Sequence, residues 1–66
     1  MIIVEENFKG IIPPGELFIK NNSLYNVWEV CIKGECINDS ILLLGAFPER
    51  KNAIMFARCY EREFNL

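Results

Sequence analysis

ILLLGAFPERKNAIMFARCYEREF, residues 41–64, holds the two patterns that decide the fold. Ile41 to Phe47 is seven apolar residues without a polar interruption, closed by Pro48. A membrane helix needs about 20 such residues, so the run reads as a strand. It shows no alternation, which suits a strand covered on both faces, and it is expected at the centre of a sheet. Gly45 weakens a strand interior and marks a bulge or a close backbone approach. Pro48 suits the first helical position, and Glu49 complements the positive end of the helix dipole. Beyond it, Ala53, Phe56, Ala57, Tyr60 and Phe64 recur at the spacing of one helical stripe, within an arc of about 100°. The pattern predicts a helix over 49–64 that packs this stripe on the sheet.

Working towards the N-terminus, Leu24 to Lys33 reads as a strand, with Leu24, Trp28, Val30 and Ile32 on one face, interrupted by Asn26. Tyr25, Val27, Glu29, Cys31 and Lys33 make a mixed second face. The flanking clusters Lys33-Gly34-Glu35 and Asn38-Asp39-Ser40 read as turns, with Cys36-Ile37 a brief continuation of the sheet between them. Glu16 to Lys20 is a further short strand, stopped by Asn21-Asn22-Ser23. Ile11-Ile12-Pro13-Pro14-Gly15 cannot be helical, because the prolines remove donors and Pro-Gly signals a turn. Met1 to Phe8 opens with β-branched residues and reads as a strand ending near Asn7. The expected fold is α+β: one small domain over residues 1–66, with an antiparallel sheet of three or four strands and one C-terminal helix on one face.

Sixty-six residues hold a single small core, and domains of this size commonly add disulfides, a metal or self-association. The chain is 52% hydrophobic with a net charge of −2, and it has no Lys/Arg cluster to neutralise a run of phosphates. Nucleic acid is therefore not the expected ligand. Met1-Ile2-Ile3-Val4 lacks a basic leader and runs straight into Glu5-Glu6, so neither a signal peptide nor a membrane role is expected, and the compartment is read as cytoplasm. Cys31, Cys36 and Cys59 lack the C-x-x-C spacing of metal and redox sites, and the chain has no His. No metal and no cofactor are expected, and the cysteines read as small hydrophobes in or near a core.

Catalysis is not legible in the chain. General acid–base and nucleophilic mechanisms most often use His, which is missing, and Ser23 and Ser40 stand in turn-like clusters. The carboxylate pairs Glu5-Glu6, Glu61/Glu63 and Glu35 with Asp39 read as solvated charge. Four scattered glycines form no phosphate loop. A pocket joining Glu29, Cys31 and Cys59 is the one arrangement that would suggest an enzyme.

One helix covers only one face of a sheet, so the second face is expected to meet another chain. Tyr25, Val27, Leu42 and Leu44 are its candidate interface residues. Met55 and Cys59 point about 160° and 120° away from the centre of the packing stripe at 100° per residue, next to Arg58 and Arg62, and Met with Arg on an outward face suits a contact patch. A separate pattern, Tyr25 to stack a base with Arg50 and Lys51 near the helix start to take a phosphate, suits a nucleotide.

Trp28 and Val30, then Phe47, Ala53, Ala57 and Arg58, spell a W-x-V strand followed by a strand ending F-x5-A-x3-A-R. The stretch from Tyr25 to Arg58 resembles small bacterial and phage ββα domains of unknown function. The resemblance covers about half the chain and implies the hairpin-plus-helix fold without an activity. Such domains usually cap the helix with Thr or Ser, where this chain has Pro48-Glu49.

Two functional classes follow. The first is a non-enzymatic, homo-oligomeric protein that binds and modulates another macromolecule, a role common among small phage and mobile-element proteins acting on host proteins. The alternative is an oligomeric binder of a small nucleotide-like ligand between protomers.

Overall fold

A computed structural model describes residues 2–4, 12–34 and 41–64. Strands β1 (Ile2–Val4), β2 (Leu17–Asn22), β3 (Val27–Lys33) and β4 (Ile41–Phe47) precede one helix, α1 (Arg50–Glu63). The sheet order follows the chain, β1-β2-β3-β4, with β2, β3 and β4 antiparallel and β1 added parallel to β2. The three antiparallel strands and the C-terminal helix make a small α+β fold.

The order places β2 and β3 at the centre and β4 at an edge, which corrects the expectation that the apolar run 41–47 is the central strand. The fully enclosed run is instead Leu17-Phe18-Ile19, buried on both faces of the sheet. Length and apolarity alone cannot separate a covered central strand from an exposed apolar edge.

The chain enters β2 through a turn that the order Pro13-Pro14-Gly15 favours. Glu16 N–H donates to Pro13 O at 3.3 Å, and Gly15 has φ 82°. A left-handed glycine at the third position is what a type II turn requires, and Pro14 at the second position suits it. Gly15 N–H then donates to Lys33 O at 2.8 Å, while Lys33 N–H donates to Glu16 O at 3.0 Å. Two residues oppose one, with the left-handed glycine first, which is a glycine bulge at the start of the β2–β3 ladder.

At its other end the β2–β3 hairpin closes with Asn22 opposite Val27. Asn21 and Asn22 belong to β2 and do not stop it, while Leu24 and Tyr25 sit exposed in the turn and not in β3. Asn22 shapes the reversal, because its Oδ1 accepts from Leu24 N–H at 3.2 Å, and Asn26 takes φ 54°, a conformation that asparagine tolerates.

In the β3–β4 hairpin, Val30 opposes Gly45 and Cys31 opposes Leu43, so Leu44 is an extra residue. Side chains alternate along a strand, and the extra residue resets that alternation. Without it Phe47 would leave the helix side. With it Phe47 stands opposite Trp28, its ring centroid 5.2 Å from that of Phe56. Gly45 makes room for this, since a Cβ there would lie 3.3 Å from the Phe47 ring.

Helix α1 runs one residue inside the expected range at each end. Glu49 is the N-cap and makes no side-chain cap bond, so Pro48 precedes the helix and does not begin it. Ala53 and Ala57 are fully buried against a core of Leu17, Ile19 and Val30, with Trp28, Ile32, Leu44, Phe56 and Tyr60 packed around it. The aromatic row continues from Phe56 to Tyr60 at 6.3 Å and from Tyr60 to Phe64 at 4.5 Å.

The second face is covered at its centre from within the chain. Phe18 and Cys31, opposite one another on β2 and β3, are 2% and 1% exposed, with Ile12 packed against them. The type II turn returns Ile12 to this face, so its centre is covered without a second chain. The expected turns over 34–40 and the rest of the N-terminal strand lie largely outside the described residues.

The turn can be tested alone, because a Cβ on Gly15 would meet nothing within 4 Å. Gly15→Ala should destabilise the protein by about 1–2 kcal/mol through backbone conformation only. Chemical denaturation checks this, and an unchanged midpoint would contradict the turn.

Candidate functional site

The candidate residues fall in four places. Tyr25 stands in the β2–β3 turn, exposed, at the sheet end where Trp28 opposes Phe47 and α1 begins. Val27, half-buried, opens β3 on the second face, in line with Glu29 and Cys31. Leu42 and Leu44, expected together on that face, both lie on the helix side: Leu42 opposes Ile32, and Leu44 packs into the helix-side core. Met55, Arg58, Cys59 and Arg62 are all exposed along α1, away from Ala53 and Ala57.

Arg50 and Lys51 make contacts within the chain. The Arg50 guanidinium lies 5.8 Å from the Trp28 ring centroid, a cation–π distance. Lys51 Nζ is 3.5 Å from Glu49 Oε2. Trp28 is partly buried against the core and its ring meets this cation, which makes it a structural anchor of the helix start.

Glu29 joins Lys20 and Asn22, two residues not singled out by sequence, in a polar cluster on the second face. Lys20 opposes Glu29, with Nζ 3.7 Å from Oε1, and Asn22 Nδ2 donates to Glu29 Oε2 at 3.4 Å. Together with Asn21, Ser23 and Leu24 they line an open depression of about 330 Å³. The signal in the sequence was the alternation Lys20, Asn22 against Val27, Glu29, which becomes readable only once the hairpin register is known. Such a cross-strand pair contributes about 0.2–1 kcal/mol and orders the hairpin.

The thiols are separated by the sheet. Cys31 is buried on the second face and Cys59 is exposed on the outer side of the helix, so Glu29, Cys31 and Cys59 share no pocket. Among the described residues, no three Cys, Asp or Glu side chains gather as a metal-ligand set. No helix among them is long and apolar enough to cross a membrane.

Among the described residues, the large apolar side chains left exposed are Leu24 and Tyr25 at the hairpin turn, Ile41 to Leu43 on β4, Met55 on the outer side of α1 and Phe64 at its C-cap. No protein-family model matches the chain, and searches of curated proteins and of solved structures return no match.

The separation of the thiols predicts their reactivity. Brief alkylation of the native protein should label Cys59 and leave Cys31 unmodified until denaturant is added, because thiolate access controls the reaction. Peptide mapping that found Cys31 labelled as fast as Cys59 would contradict its burial.

Proposed function

We propose that the protein works by binding another macromolecule, without catalysis, through the outer stripe of α1. The observation that supports this is the arrangement of Met55, Arg58, Cys59 and Arg62 at i, i+3, i+4 and i+7, all exposed, with the Met55 side chain 62% accessible. Positions so spaced lie on one helical face. A flexible, polarisable Met adapts to an apolar pocket. Two arginines one turn apart offer planar forks that engage carboxylates in pairs. The fitting partner is a protein surface with a shallow apolar pocket and an acidic rim.

This face is locally basic in a chain whose net charge is −2, so the attraction is specific to the patch and does not extend to polyanions in general. The supporting side of α1 is held by Ala53 and Ala57 and by the aromatic row, which lets the outer stripe be altered without touching the core. A host protein met by a small protein of a phage or mobile element is the kind of partner this reading has in view.

The expected outcome is that Arg58→Glu with Arg62→Glu abolishes co-purification of a bound polypeptide from the native cells while circular dichroism and Tm stay unchanged. Retention of that partner at wild-type yield would contradict the reading. A nucleotide panel followed by thermal shift should be silent. A ligand at one hundred times its Kd would add about 2.7 kcal/mol. In a domain of this size each kcal/mol raises Tm by roughly 4–8 °C. Such a rise, lost in Arg50→Ala, would favour a nucleotide-like ligand near Tyr25, Arg50 and Lys51 instead.

A further inference from the structure

β4 closes the sheet, and among the described residues no strand pairs with its outer edge. Ile41, Leu42 and Leu43 are 47%, 60% and 54% exposed. Exposed edges are normally guarded by charge, an inward lysine, proline or a bulge that twists the edge away. Ile41 to Phe47 contains no charge and no proline. Its one irregularity, the extra residue Leu44, comes after this trio, which stays in regular register with Lys33, Ile32 and Cys31.

We propose that Ile41–Leu43 pairs antiparallel with the same segment of a second copy, about a twofold axis at Leu42. The inference is independent of the partner reading above, since it uses the sheet edge and not the outer stripe of α1. A strand is the partner that fits such an edge, because its outward N–H and C=O groups, otherwise left to water, are a template for a further ladder. The chemistry asked of that strand is also narrow: apolar side chains on both faces and no charge. β4 of a second copy supplies this, and a net charge of −2 per copy opposes the approach only weakly.

The register follows from symmetry. In an isologous antiparallel pair the axis runs normal to the sheet, so both helices lie on the same side and each residue meets one of its own facial set. With the axis at Leu42, Leu42 meets its own copy on the helix side, while Ile41 and Leu43 exchange partners on the second side. All three exposed side chains are then covered by apolar neighbours. Moving the axis to Leu43 would bring Leu42 against Leu44, at the bulge and already packed in the core. The result is one eight-stranded sheet, β1-β2-β3-β4 joined to its symmetric copy. A contact of three residue pairs is small, so the dimer should form in a concentration-dependent way.

The test is sedimentation equilibrium on the full chain across a wide concentration range. The wild type should approach twice its 7.7 kDa mass. Leu42→Lys and Leu42→Glu should each be monomeric, since like charges meet at the axis, and an equimolar mixture of the two should recover the doubled mass. Far-UV circular dichroism identifies a variant that fails to fold, and Leu43→Lys with Ile41→Glu, which face each other across the axis, then take their place. A wild-type monomer at every concentration would overturn the proposal, even if it bound another protein. So would a Leu42→Lys dimer as stable as wild type, or a mixture that stays monomeric.

Discussion

The contact on which the structure depends is that of Ala53 and Ala57 with Ile19 and Val30. All four are fully buried, and they lie where the helix crosses the two central strands. Two methyl groups four residues apart let the helix backbone sit close to the sheet, and larger groups on either side, Trp28 and Phe56 among them, fill the margins. Overpacking a site like this costs about 1–3 kcal/mol, a large share of what a core of this size supplies. The Leu44 bulge, the Gly45 clearance and the Arg50–Trp28 contact all bring the end of β4 and the start of α1 into the place this contact requires.

On the other side of the sheet a second, smaller core forms without a helix. Phe18 and Cys31 are covered there with Ile12, delivered by the Pro13-Pro14-Gly15 turn. This changes where unsatisfied apolar surface remains. The middle of the sheet is closed on both faces, and the exposed apolar groups move outward to the β4 edge, the hairpin turn and the flank of α1. Those are places where binding can be altered without loss of the fold, which is why both proposed contacts lie there.

The helix and the strand pair β2–β3 were readable from the chain because their signals are periodic: the stripe Ala53, Phe56, Ala57, Tyr60, and the alternation Trp28, Val30, Ile32; Phe64, expected in that stripe, is instead the C-cap and 60% exposed. The Pro-Gly turn and the disturbance at Gly45 were readable because each needs a special backbone conformation or clearance. The order of the strands was not. Ile41 to Phe47 is more continuously apolar than Leu17 to Ile19, yet the shorter run is central, with β3 antiparallel on one side of it and β1 parallel on the other. Leu24 and Tyr25 look like strand residues by type, but Asn26 at positive φ and the Asn22 side chain assign them to the turn. Of the candidate site, the outer stripe of α1 followed from helical geometry, whereas the Lys20–Glu29–Asn22 cluster required the hairpin register.

The claim with the most weight is that β2 and β3, and not β4, form the centre that α1 holds. Residue-resolved amide hydrogen exchange on the Leu42→Lys chain, where pairing through the edge is blocked, tests it directly. The account predicts that Ile19 and Val30, with Ala57 of the helix, are in the slowest class and exchange only by global unfolding, while Ile41 to Leu43 open at lower free energy. Protection in Ile41 to Leu43 equal to or above that of Ile19 would place β4 at the centre and contradict it.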